Sequence, residues 1–277
     1  MKDVGGFKKA RFDPARELVI DIVKLGVRKH HVPILLELDV TDSRNLIRLQ
    51  KQRTGVTLSF TGWVTKCIAQ AVSEHQEMHA LRKGSKALIL FDDVDVLVTI
   101  EKAIDELEVP LPFVVRKANK KTVSQINDEI RSAQRETATR ETMVLGDNPW
   151  YARIYLRLPG VVRGLIGPWM LRDPFAIKRN TGTVAVSSIG MMGNFGGWVI
   201  PVGPLPLQFA VGGIARKPGV HNDQIEAREI LSLSFVFDHD VVDGAPVARF
   251  TSRLVELMES AFALDEAGLR DNPIKNG

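Results

Sequence analysis

Apolar residues recur every three or four positions in some stretches of the chain and every second position in others, and the two periods predict a mixed α/β domain. Helical spacing covers Pro14–Lys29, Ser43–Arg53, Ser59–His75, Thr122–Arg135 and Pro246–Phe262. In the third of these, Phe60, Trp63, Val64, Cys67, Ile68, Ala71 and Val72 form one stripe, which predicts a face turned to the core. The fourth opens with Thr122 and Gln125, a capping-box pair that satisfies backbone donors of the first turn. Strand patterns cover Ile34–Val40, Asp95–Ile100, Leu111–Arg116, Thr183–Ser187, Leu207–Gly212 and Ile230–Phe237. The last alternates Leu231, Ser232, Leu233 and Ser234, and helical spacing resumes at Val247, Phe250, Leu254, Leu257 and Met258, so the unit reads strand, loop, helix.

Two segments resist this simple reading. Thr181 to Ala215 contains no charged residue, long enough to suggest a membrane span, yet eight glycines and three prolines interrupt it. A continuous helix does not tolerate that pattern, so buried strands and tight loops are expected instead. Between 136 and 180, Trp150, Tyr151, Ile154, Tyr155, Leu158, Val162, Leu165, Ile166 and Trp169 recur near helical spacing among Arg153, Arg157, Arg163 and Arg172, and Pro159-Gly160 is expected to break the run into two short helices. A helical hairpin packed on the domain or on a neighbouring subunit is one reading. A greasy lid or membrane-surface patch serving a hydrophobic ligand is the other.

Composition narrows the class. With 277 residues and 44% hydrophobic content, the chain can bury one large core, and no Gly/Ser- or Pro-rich linker splits it. The net charge of +4 comes from basic residues mixed with acidic ones, so no stripe suggests nucleic acid. The opening residues lack the apolar core of a signal peptide, and the single cysteine excludes an intrachain disulfide and fits a reducing compartment, so a cytoplasmic location is expected. Cys67 lies on the apolar stripe and reads as a packed core thiol rather than a nucleophile. No metal and no tightly bound cofactor are expected. The expected organisation is a basic extension over 1–14, one folded domain over 15–265 with the hydrophobic insertion at about 136–180, and a tail over 266–277.

The candidate chemistry lies where the strand Ile230–Phe237 ends. There Asp238-His239-Asp240-Val241-Val242-Asp243-Gly244 places a histidine four residues before an Asp-Gly pair, and an imidazole held in such a loop can accept a proton at neutral pH. Spacing alone fits a satisfied loop histidine beside a turn aspartate equally well. The wider sequence separates the two readings. His239, Asp243 and Gly244 resemble the HxxxDG signature of the CoA-dependent acyltransferase superfamily, which includes chloramphenicol acetyltransferase and the dihydrolipoyl acyltransferase core of 2-oxoacid dehydrogenase complexes. The latter is the more similar, on Ala248-Arg249-Phe250 after the signature, Ala15-Arg16-Glu17-Leu18-Val19-Ile20 in the first helix, and Val32-Pro33-Ile34-Leu35-Leu36-Glu37-Leu38-Asp39-Val40 in the first strand. Leu111-Pro112-Phe113-Val114-Val115-Arg116, Gly182-Thr183-Val184-Ala185-Val186-Ser187-Ser188-Ile189-Gly190-Met191 and Pro206-Leu207-Gln208-Phe209-Ala210-Val211-Gly212 carry the likeness in the same order.

This resemblance implies a chloramphenicol acetyltransferase-like two-layer α/β sandwich with a mixed sheet and flanking helices. It implies acyl transfer between coenzyme A and a dihydrolipoyl thiol or other small acceptor, with His239 as general base and Ser187 donating to the oxyanion. Ser188, standing where the family has asparagine, is the fallback, and both serines capping a strand end is the structural reading beside it. Asp243 matches an aspartate that pairs with an arginine of the first helix, here Arg16, and shapes the histidine loop. His30 and His31 read as strand-entry residues, and His75, His79 and His221 lie in polar contexts where no partner is expected. Asp240 replaces an arginine of the relatives, so an extra carboxylate beside His239 is expected to affect its proton affinity or the channel mouth. Relatives are trimers with the histidine of one subunit facing the serine of the next, so a homotrimer or a higher assembly is expected. The sequence shows no lipoyl domain, so a lipoyl group is expected only in trans, from a carrier or dehydrogenase subunits. The alternatives are an inactive trimeric scaffold and transfer from acyl-CoA to an alcohol or amine.

Overall fold

The amphipathic stretches converge on a six-stranded sheet in the computed structural model, which describes residues 5–9, 12, 15–104, 107–135, 154, 155, 157–190 and 196–264. The readings for 1–4, 136–153 and 266–277 lie outside these residues. In chain order the elements are α1 (Ala15–Gly26), β1 (His31–Asp39), α2 (Thr41–Thr54), α3 (Phe60–Glu74), β2 (Leu81–Lys83), β3 (Ala87–Ile89), β4 (Val96–Ile104) and β5 (Leu107–Val115). There follow α4 (Val123–Arg135), α5 (Gly160–Met170), α6 (Pro174–Thr181), β6 (Val184–Ser188), β7 (Leu207–His221), β8 (Gln224–Asp238) and α7 (Gly244–Glu259). The sheet order is β1-β8-β7-β6-β4-β5, and β2 and β3 form a separate two-stranded ribbon. β6 runs parallel to β4 and β7, and the remaining neighbours are antiparallel.

One face of the sheet carries the main core. Leu231, Leu233, Phe235 and Phe237 of β8 and Leu207, Phe209 and Val211 of β7 point there, against Trp63, Cys67 and Ile68 of α3 and Phe250 and Leu254 of α7. Phe209, Phe235 and Phe250 meet with ring centroids 5.2 to 6.4 Å apart, in tilted and edge arrangements that favour aromatic contact. Burying each ring contributes about 1.5–3 kcal/mol by removing apolar surface from water. Trp63 is fully buried and its indole N–H donates to the Phe262 carbonyl at 2.9 Å, so its one polar atom is satisfied. Cys67 is fully buried, which pushes its thiol far above the ordinary cysteine range and keeps it a packed, unreactive group.

Local signals set the helix starts. Ser59 caps α3 by accepting from the Gly62 N–H at 3.2 Å, and Thr122 and Gln125 exchange hydrogen bonds of 2.9 and 3.2 Å as the capping-box reading requires. In the charge-free segment, Gly190 is needed where the chain crosses β7, because a Cβ there would lie 1.9 Å from the Gly212 carbonyl oxygen. Among the described residues, no helix is long and apolar enough to cross a membrane.

Several expectations are corrected. β7 and β8 continue as a two-stranded arm through residues 213–229, a polar stretch that periodicity leaves as loop. Asn222 and Asp223 turn it with φ of 49° and 60°, a left-handed pair that these two residue types tolerate best after glycine. The ribbon β2–β3 was likewise too short to show a period, and α6 begins unannounced at Pro174 with Asp173 accepting from the Phe175 N–H. His75, His79 and His221 all have partners. Glu77 stands 3.8 Å from His75, Glu226 stands 3.7 Å from His221, and His79 bridges the Thr183 hydroxyl at 2.7 Å and the Phe91 carbonyl at 3.1 Å.

His79 carries a pH dependence. Burial disfavours its charged form and brings its pKa down to about 4. The unfolded chain takes up this proton near pH 6.5 and the folded chain does not, so the stabilisation is complete above 6.5 and is lost as pH falls toward 4. The expected loss is at most about 3 kcal/mol. Urea unfolding between pH 4 and 7.5 should show a shallower profile for His79→Gln than for the parent, and profiles of equal slope would exclude His79 as the source.

Candidate active site

The strand β8 delivers the histidine loop, and two buried anchors hold it. Phe237 on one side and Val242 on the other are in the core, while His239 and Asp240 between them are exposed. Asp238 organises the turn: its carbonyl accepts from the N–H groups of Val241 and Val242, and its buried carboxylate accepts from the Asp240 N–H at 3.2 Å and from Lys29 Nζ at 2.8 Å. The His239 N–H donates to the His30 carbonyl at 3.0 Å, tying the loop to the start of β1. The imidazole touches the Phe237 ring, with centroids 5.8 Å apart, and otherwise faces solvent. Asp238 and Lys29 were not singled out from sequence. A carboxylate closing an otherwise apolar strand is the signal that marks such a residue.

Asp240 directs its carboxylate to His30 Nδ1 at 2.8 Å, and that hydrogen bond holds its carboxyl below the usual range. The expected Arg16–Asp243 pair does not form. Arg16 lies on the solvent face of α1, and Asp243 is exposed at the N-cap of α7, making no side-chain capping bond. The inner face of α1 is engaged differently: Glu17 and Asp21 accept from Arg163 of α5 at 2.6 and 2.7 Å. Arg163 and Asp21 are both buried, so this pair ties the two helices together, and removing either partner would strand a charge.

Ser187 is on β6, half-buried, and pairs with Ala210, which in turn pairs with Ser234 of β8. Val184 and Val186 turn to the main core, so Ser187 shares the opposite face with Ala185, which packs on the small cluster of Leu81, Ile177 and Leu205. Ser188 Oγ is buried and has no hydrogen-bond partner among the described residues. His239 is five residues beyond Ser234 and two strands from Ser187, a separation of roughly 19 Å at about 3.3 Å per residue and 4.8 Å per strand. One copy of the chain therefore does not bring His239 and Ser187 together. Among the described residues no group of three or more His, Cys, Asp or Glu side chains is placed to hold a metal ion.

The mixed six-stranded sheet, helices on its core face and a histidine loop at the end of β8 make up the fold of an acyltransferase catalytic domain. The chain belongs to the family of 2-oxoacid dehydrogenase acyltransferase catalytic domains, whose model matches residues 15–144 and 178–264. It is similar to the lipoamide acyltransferase component of the branched-chain alpha-keto acid dehydrogenase complex of Bacillus subtilis (strain 168), 26% identical over 236 residues. That match covers 83% of this chain and 47% of the relative, so the chain spans about half the relative's length. Among solved structures, the cubic core of the pyruvate dehydrogenase multienzyme complex superposes with a TM-score of 0.68 at 19% identity, covering 94% of this chain and 95% of that one. A probable dihydrolipoamide acetyltransferase from Listeria monocytogenes 4b F2365 gives 0.67 at 19% identity, covering 98% and 99%. At these identities the superpositions establish the fold.

Proposed function

We propose that the chain is an acyltransferase catalytic domain that moves an acyl group between coenzyme A and a thiol of the dihydrolipoyl kind, at a site formed between two copies of the chain. His239 takes the proton from the attacking thiol, the thiolate adds to the thioester carbonyl, and the Ser187 hydroxyl donates a hydrogen bond to the resulting oxyanion. When the intermediate collapses, the departing thiolate recovers the proton from the imidazolium. Neither thiol is activated without a base, and His239 is the histidine that both motif and exposure make available.

The observation that carries this reading is the exposed His239 at a braced strand end, in a chain whose family match runs through both His239 and Ser187. The roughly 19 Å between them supports a site assembled across subunits, in a trimer or a larger assembly. Asp243 keeps the motif's place at the N-cap of α7 without a side-chain capping bond, so Asp238 and Lys29 brace the loop in its stead. A thiol-release assay across acyl-CoA chain lengths, with and without free dihydrolipoamide, tests the proposal: release should depend on dihydrolipoamide. Release that requires an alcohol or amine instead points to a different acceptor.

A second reading is an inactive scaffold, which the missing Arg16–Asp243 pair and the carboxylate at Asp240 favour. No binding of any acyl-CoA, together with stable binding to a dehydrogenase subunit, would select it.

A further inference from the structure

Beside the histidine loop lies a cleft of about 470 Å³. Leu81, Leu171 and Ile177 give it an apolar lining, and Lys29, Arg82 and Arg172 place three cations around it. Leu171, Arg172 and Ile177 fall between the two stretches that match the family model. Two contacts join the cleft to the loop: Lys29 Nζ on Asp238 at 2.8 Å, and an Arg82 guanidinium nitrogen 3.8 Å from Asp240.

The charges around the cleft do not cancel. Lys29 is matched by buried Asp238, and Asp240 accepts from His30 at 2.8 Å, leaving Arg82 a distant ion pair. Among the described residues, Arg82 makes no side-chain hydrogen bond, and the Arg172 guanidinium makes neither a hydrogen bond nor an ion pair. Two guanidinium forks with unused donors match phosphoryl oxygens, which they can hold bidentately. The lining suits an aliphatic arm, and the volume falls in the range of small-molecule sites.

We propose that this cleft is a phosphate-ester subsite, in which Arg82 and Arg172 bind phosphoryl oxygens while Leu81, Leu171 and Ile177 receive the aliphatic arm carrying them. It rests on the acyltransferase reading only in that His239 is the neighbouring reactive group. The phosphate has two sources, the nucleotide end of coenzyme A or a phosphorylated acyl acceptor.

Calorimetric titration of the full chain with coenzyme A, pantetheine and inorganic pyrophosphate separates them, using Arg82→Ala and Arg172→Ala, both exposed, the first losing only the 3.8 Å ion pair with Asp240. If coenzyme A is the source, the parent binds it at least about tenfold more tightly than pantetheine, and either substitution erases that preference without changing pantetheine binding. If the acceptor is the source, coenzyme A binding is unaffected, while pyrophosphate binds the parent and is weakened about tenfold in the variants. Coenzyme A and pyrophosphate binding unchanged in both variants overturns the subsite. The two proposals fail separately. Transfer that survives His239→Ala, with arginine-dependent binding intact, overturns the base assignment and leaves the subsite; transfer lost in His239→Ala, with binding indifferent to both arginines, does the reverse.

Discussion

Replacing His239 by alanine lowers acyl transfer by about 10²–10⁴-fold, the range a positioned general base contributes. The fold survives the change. The imidazole is exposed, its one ring neighbour among the described residues is Phe237, and the hydrogen bond from residue 239 to the His30 carbonyl uses the backbone N–H, which alanine retains. Surface substitutions of this kind change stability within about 0.5 kcal/mol. Thiol release by the variant, beside a melting curve matching the parent's, checks both halves of the expectation. Undiminished release would end the assignment of His239 as base.

Ser187→Ala should lower kcat by about 10²–10³-fold, the loss seen when one oxyanion donor is removed, with little change in KM because the hydroxyl acts on charge that develops only in the transition state. The strand is undisturbed, since Ser187 pairs with Ala210 through its backbone. A parent-like Ser187→Ala beside a crippled Ser188→Ala would transfer the role to Ser188, whose hydroxyl is buried and has no partner among the described residues. The two variants together also test the geometry. If His239 of one copy works with Ser187 of the next, co-assembled His239→Ala and Ser187→Ala chains regain about a quarter of the parental rate, because one interface in four pairs two intact residues. Within a single chain no mixture would regain any. Recovery measured after co-expression therefore distinguishes a shared site from an internal one.

Much of the architecture was legible in the residues themselves. The α3 stripe from Phe60 to Val72 and the alternation in Ile230–Phe237 appear where the period placed them, because burial of an amphipathic face decides both. The arm beyond Gly212 was not legible: most of its residues are polar or small, its paired Val220 and Ile225 are exposed at 78% and 80% rather than turned to a core, and it is held by cross-strand hydrogen bonds and the Asn222-Asp223 turn. His79 was misjudged for a related reason. Its neighbours Gln76 and Glu77 are polar, but the pocket that buries it comes from Phe91 and Thr183, over a hundred residues away in the latter case.

Charge partnerships followed the same division. The chain alone determined that a histidine would stand at a strand end with an Asp-Gly pair behind it, since local period and turn chemistry suffice for that. It did not determine which carboxylate each cation would meet. Arg163, not Arg16, engages the first helix, Lys29 braces Asp238, and His30 holds Asp240, because an ion pair depends on which surfaces folding brings within about 4 Å. The distance from His239 to Ser187 belongs to this second kind: it follows from strand order and register, which no pattern along one dimension encodes.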